Sequence, residues 1–107
     1  MKSYIIYQVK EEAKNSRYIM FSDFEFLKEN GLDKEVKKYN YRPIYSGEVE
    51  EYESDIDCLD ELYMRFQGRK PEGYNGHSLS MSDVIVLDDR AYYCDSHGWQ
   101  EIEYFNL

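Results

Sequence analysis

Two periods of apolar residues alternate along the chain, and each change from one to the other marks an element. Ser3 to Lys10, SYIIYQVK, is dense in β-branched and aromatic residues and reads as a strand, closed by the polar run EEAKNSR. The next element carries full helix punctuation. Ser22 stands as cap with Glu25 three residues on, an S-x-x-E capping box, while Phe21 and Phe26 are spaced for a hydrophobic staple. Gly31 supplies the left-handed stop. Phe24 and Leu27, with Phe26 beside them, define the inward face of this short helix.

After a polar, lysine-containing segment from Asp33 to Lys38 comes YNYRPIYSGEVE, a second strand with Tyr39, Tyr41 and Tyr45 at a period of two. Pro43 has no amide to donate, so this strand is expected at a sheet edge or bulged. A second helix is predicted from Asp55 to Gln67, capped by Ser54 or Asp55 and stopped by Gly68. Ile56, Leu59, Leu62, Tyr63 and Phe66 recur at helical spacing as its buried stripe. Acidic residues fill its first turns and Arg65 and Arg69 sit at its end, as the helix dipole favours.

GRKPEGYNGH is a loop by composition. Val84 to Leu87 then has strand length, Asp88-Asp89-Arg90 makes a hairpin turn, and Ala91 to Asp95 returns. His97-Gly98 turns again into Trp99 to Phe105. Three closely spaced strands predict an antiparallel meander. The order β-α-β-α-β-β-β predicts a single α+β domain over residues 1–107, with a mainly antiparallel sheet of about 4–5 strands and both helices on one face.

Composition narrows the class. At 107 residues the chain suits one domain that buries roughly 65% of its extended surface. Hydrophobic residues make up 42% and aromatics 17%, twelve of them tyrosine, which is enough for a real core. Twenty-two acidic residues against thirteen basic ones leave a formal charge of −9. Such a chain repels nucleic acid and favours basic-surfaced proteins, so direct nucleic-acid binding is not expected. Neither a signal-peptide core nor a run of the roughly 20 apolar residues that span a bilayer stands out, so a cytoplasmic protein without membrane association is expected.

Three constellations could carry chemistry. His77 with Ser78, Ser80 or Ser82, and Asp83 or Asp95 as orienter, has the residue types of a hydrolytic triad. It lacks a G-x-S-x-G elbow, and the serines alternate as in an extended segment. Ser80, Ser82 and Asp83 are equally explained as side chains that satisfy loop amides. Cys94-x-x-His97, with His77 and Cys58 elsewhere, offers zinc-ligand types but only one close pair, so no metal and no cofactor is expected. The two cysteines leave room for one disulfide.

The third constellation is electrostatic. Glu48 to Glu61, EVEEYESDIDCLDE, holds eight acidic residues and no basic one, with Val49, Tyr52, Ile56 and Leu59 interspersed. It reads equally as a solvated helix start or as a carboxylate array that imitates nucleic-acid phosphates. Twelve tyrosines exceed what a core requires, so some of Tyr39, Tyr41, Tyr45, Tyr52 and Tyr74 are expected at the surface for recognition.

The opening YIIYQVK, the central YNYRPIYSGEV, the helix CLDELYMRFQ and the terminal PEGYNGHSLSMSDVIVLDDRAYYCDSHGWQEIEYF together resemble the YodL-like domain. Its most distinctive block reads GHSLSMSDVIVL here, followed by a tyrosine-rich hairpin and the pair Gly98-Trp99, which the resemblance marks as structural. Cys58, Cys94 and Trp99 depart from the usual pattern, where an acidic residue, valine and phenylalanine are common. The resemblance implies a small α+β fold in Gram-positive mobile elements or phages, and it carries over no catalytic residue.

Charge and that setting together lead to the expectation of a non-enzymatic binding module, an anti-CRISPR or antirestriction inhibitor that occupies the basic groove of a host nuclease by DNA mimicry. Glu50, Glu51, Glu53, Asp55, Asp57, Asp60 and Glu61 would supply the charge, with Tyr45 and Tyr52 as aromatic anchors. The alternatives are a regulatory or accessory module of conjugation that docks through the tyrosine-bearing edge strand, and a small hydrolase using His77, Ser80 and Asp83.

Overall fold

Val84 to Leu87, VIVL, is buried at all four positions, the mark of a strand covered on both faces. The computed structural model, which describes residues 1–106, shows what covers it. The strands are β1 (Lys2–Val9), β2 (Tyr41–Val49), β3 (Val84–Leu87), β4 (Arg90–Cys94) and β5 (Trp99–Glu101). They form one antiparallel sheet in the order β2-β1-β3-β4-β5. The helices are α1 (Ser16–Ile19), α2 (Phe24–Glu29) and α3 (Asp55–Arg65), with 3-10 turns at Asp33–Glu35 and Lys38–Asn40. The α+β class and the C-terminal meander are as the sequence predicts.

The helices do not share a face. Tyr7, Val9, Val84, Val86 and Tyr93 pack with Phe24 and Leu27 of α2. Tyr4, Ile6, Ile85, Leu87 and Tyr92 pack on the other side with Cys58, Leu59 and Leu62 of α3. Alternate residues of β1, β3 and β4 therefore enter two separate cores, and a fully buried leucine such as Leu62 contributes roughly 1.5–3 kcal/mol to its own.

Pro43 makes β2 both an edge and bulged. Ile6 pairs with Tyr45 and Tyr7 with Pro43, so Ile44 is the additional residue. The bulge breaks the expected tyrosine period: Tyr41 enters the α2-side core, Tyr45 packs against the α3-side core, and Tyr39 is exposed ahead of the strand.

Local corrections follow from hydrogen bonding. Asp23, not Ser22, caps α2, its carboxylate accepting from the Phe26 amide at 2.7 Å, while Ser22 Oγ donates to the Tyr18 carbonyl. The carboxylate thus displaces the S-x-x-E box, and α1 arises within the stretch expected to be a polar connector. Phe21 and Phe26 are both largely exposed, and the Phe21 ring lies against His77 rather than completing a buried staple. Gly31 does take the left-handed stop, at φ 69°. Ser54 caps α3, but its buried stripe is Cys58, Leu59, Leu62 and Phe66, and Ile56 and Tyr63 face solvent. The last strand ends at Glu101 instead of Phe105, because Ile102 and Phe105 turn back into the α2-side core.

Candidate functional site

The stripe that seats α3 on the sheet decides which carboxylates face outward. Glu50, Glu51, Tyr52 and Glu53 form the connection into the helix and are all exposed, as are Asp57 and Asp60 on the helix itself. Among the described residues no cation pairs with Glu50, Glu53 or Asp57, while Glu51 lies 4.0 Å from the Met1 amino group and Glu61 3.5 Å from Arg65. Apolar side chains stand between them: Tyr52, Ile56 and Tyr63 are exposed, and Met64 is 73% exposed. Exposed apolar groups framed by unpaired charge give a surface able to bury area against a partner.

Two acidic residues of the segment are turned to architecture. Asp55 accepts the Tyr92 hydroxyl at 2.6 Å and the Lys2 ammonium at 3.1 Å, pinning the start of α3 to β4 and β1. The Tyr92 hydrogen bond, with help from Lys2 and against partial burial, holds this carboxyl below its ordinary range. Asp60 accepts the Trp99 indole N–H at 3.0 Å and so ties α3 to β5. Tyr45 is equally internal, its ring 5.5 Å from Phe66 and 5.9 Å from Tyr74.

The GHSLSMSD block is the opposite kind of site, polar and closed. Gln8, the one buried amide of β1, donates to Asp83 Oδ2 at 3.0 Å and to the His77 carbonyl at 2.9 Å, and it accepts the His77 amide at 3.2 Å. The Ser80 amide donates to the same Asp83 oxygen at 2.8 Å. Gly76 is required here, since a Cβ would overlap Gln8 Oε1. Ser82 adopts φ 84°, unusual for a side-chain residue, and its Oγ accepts the amide of Phe21, itself at φ 63°. The Tyr41 hydroxyl donates to the Ser82 carbonyl at 2.8 Å, and the Ser82 amide donates to the Cys94 carbonyl at 2.9 Å. The loop is thus folded tightly rather than extended.

Asp83 is 1% exposed, and its Oδ1 is a buried oxygen with no hydrogen-bond partner among the described residues. Burial pushes its carboxyl up to about 8, although the Ser80 and Gln8 donors pull the other way. His77 Nε2 lies 3.9 Å from Oδ1. Nδ1 lies 2.8 Å from the Ser78 carbonyl and 3.1 Å from Gln8 Nε2, so it is placed to donate to the one or to accept from the other.

His77 and Asp83 therefore come together, but Ser80 Oγ donates to the Ser78 carbonyl at 2.7 Å instead of to the imidazole, and His97 sits exposed in the β4–β5 turn. A nucleophile–base pair is not formed by these atoms. Cys58 and Cys94 are buried as free thiols, so the disulfide left open by the cysteine count is absent. Cys94 is pushed up to about 12, chiefly by burial. Among the described residues no three histidine, cysteine or acidic side chains are gathered as a metal ion would require, and no helix is long and apolar enough to cross a membrane.

A closed polar block that ties its loop to β1, β2 and β4 is what a fold signature looks like at atomic level, and residues 3–105 match the sequence pattern of the YodL-like domain. The chain belongs to the YodL-like domain family. No curated protein and no solved structure matches it. In this YodL-like domain the distinctive block serves as internal bracing, whereas Glu50, Glu53 and Asp57, on α3 and the connection before it, have no cation partner among the described residues. Sequence reasoning missed Gln8, the hub of the bracing. The signal was one amide inside an otherwise apolar strand, a position that must find polar partners when buried.

Proposed function

We propose that this YodL-like protein acts in the cytoplasm, without catalysis of its own, by docking the outer face of α3 and the connection before it onto a basic-surfaced protein. The observation that carries the reading is the combination along α3 and the connection before it: among the described residues Glu50, Glu53 and Asp57 stand without cation partners, with exposed Tyr52, Ile56 and Met64 on the same stretch. Carboxylates steer and orient such an encounter, and the apolar side chains supply the area that holds it. A protein surface built to receive phosphates would accept this face, so the partner class is a nucleic-acid-binding protein, and a nuclease blocked by the occupant is the inhibitory form of the reading. Docking through β2 is less favoured, because Pro43 and the bulge interrupt the free edge that strand addition needs.

The test is affinity capture from a bacterial lysate with the native chain and with a variant carrying Glu51→Lys, Glu53→Lys and Asp57→Lys. The captured protein is then purified and titrated at several salt concentrations. The reading predicts weaker binding and a shallower salt dependence for the variant; equal affinity and equal slope reject it.

A further inference from the structure

Between α3 and the β4–β5 hairpin lies a groove of about 470 Å³, lined by Tyr63, Trp99, Met81 and Cys94 and carrying the carboxylates of Asp60 and Asp95. Both carboxylates are held in place from one side. Asp60 Oδ1 accepts the Trp99 indole at 3.0 Å, and Asp95 Oδ1 accepts the amides of Phe24 at 3.0 Å and Ser96 at 2.8 Å. Neither has a lysine or arginine within ion-pair distance among the described residues, and neither Oδ2 has a protein donor. The two rings are rigidly related as well, with centroids 6.5 Å apart and planes at 81°. Negative potential reaches the inner wall: after burial, the charges of Asp95 and Asp60 push the Cys94 thiol upward.

The chemistry of this lining selects its guest. A metal ion needs more oxygen ligands than two separate carboxylates provide. An ammonium is a compact, strongly hydrated charge that gains little from aromatic walls, whereas a guanidinium has two weakly hydrated faces for rings and an edge of N–H donors for carboxylates. We infer that the groove receives an arginine side chain of the partner, its face against Trp99 and its N–H edge on the free oxygens of Asp60 and Asp95, with the perpendicular Tyr63 ring as the adjacent wall. This rests on the proposed docking to a basic-surfaced protein and adds the side chain that anchors it.

Trp99 is the only tryptophan, so its fluorescence reports on the groove directly. The native chain is titrated at low salt with acetyl-Gly-Arg-Gly-amide and with the lysine and citrulline counterparts. A saturable emission change is expected for the arginine peptide, about fivefold weaker for lysine and absent for citrulline. Asp60→Asn combined with Asp95→Asn keeps both Oδ1 acceptors, and with them the fold, and should abolish the arginine response. Equal responses to arginine and lysine, or an unchanged response in the asparagine pair, overturn the inference. A parallel arm with Glu53→Lys and Asp57→Lys separates the two levels. If that pair weakens capture of the basic protein while the groove shows no arginine preference, the anchor is wrong and the docking surface stands. If the groove prefers arginine while capture is unaffected by that pair, the anchor stands and the docking surface is wrong.

Discussion

Asp83 and Asp57 are the same side chain in opposite settings, and the contrast divides the molecule. Asp83 is enclosed, with two donors on one oxygen and an imidazole near the other, and its carboxyl lies near 8 because burial penalises its charge. Asp57 stands on the open side of α3, with no cation in ion-pair distance among the described residues. Where carboxylates bond inward they hold elements together, and where they do not, they remain available to something outside. Asp55 and Asp60 show that the boundary runs through the acidic segment itself, since each is bonded to an aromatic residue of the sheet.

The largest expected effect is at the enclosed end. Asp83→Ala leaves the Ser80 amide and one N–H of the buried Gln8 amide without their acceptor, and should lower stability by about 2–4 kcal/mol in urea unfolding. A loss below the error of that experiment would show that the block is not bracing. The same residue gives the pH dependence its sign. Unfolded, its carboxyl titrates near about 4, and folded it titrates at about 8, so between these the folded state binds the extra proton. Its contribution is fully present below the unfolded value and is lost as pH rises through the folded one, on the order of a few kcal/mol. Stability measured from pH 5 to 8.5 should fall for the native chain and flatten for Asp83→Asn; parallel curves would remove Asp83 as the cause.

A smaller effect is expected where the two kinds of carboxylate meet. Tyr92→Phe removes the hydroxyl from Asp55 and should cost about 1 kcal/mol at neutral pH. The lowered carboxyl of Asp55 contributes stability above its unfolded value and loses it as pH falls. The variant should therefore show a weaker decline on acidification, read from thermal melts between pH 3 and 6, and an unaltered decline would assign it elsewhere. The smallest expected effect is the most telling. Glu53→Lys with Asp57→Lys should cost less than about 1 kcal/mol, the share of Asp57 in the α3 dipole, because neither side chain has an internal charge partner to lose. A melting point displaced as far as that of Asp83→Ala would erase the distinction between the regions.

Much of the fold was legible, and the reasons for the rest are specific. Val84 to Leu87 announced a strand, and the lack of polar alternation in VIVL held the information that both faces are covered, which places α2 and α3 on opposite sides. Pro43 announced an edge and a bulge, but only pairing with β1 shows that the bulge sends Tyr41 and Tyr45 to different cores. Ser22 and Asp23 are both competent caps, and tertiary placement decides between them. The acidic segment was legible as a charge run, whereas the bonding of Asp55 and Asp60 to the sheet depends on Tyr92 and Trp99, residues far along the chain that no local pattern connects to α3.

The claim that the outer face of α3 is the functional surface is tested most directly by one paired titration. The basic protein captured by the native chain is titrated with native and Glu51→Lys, Glu53→Lys, Asp57→Lys chains across a range of salt concentrations, after matched melting curves have been recorded. The account predicts a melting point lowered only by the exposed Met1–Glu51 pair and the α3 dipole share of Asp57, weaker binding at low salt and a shallower salt slope for the variant. Coincident affinities and slopes from two folded chains would contradict it.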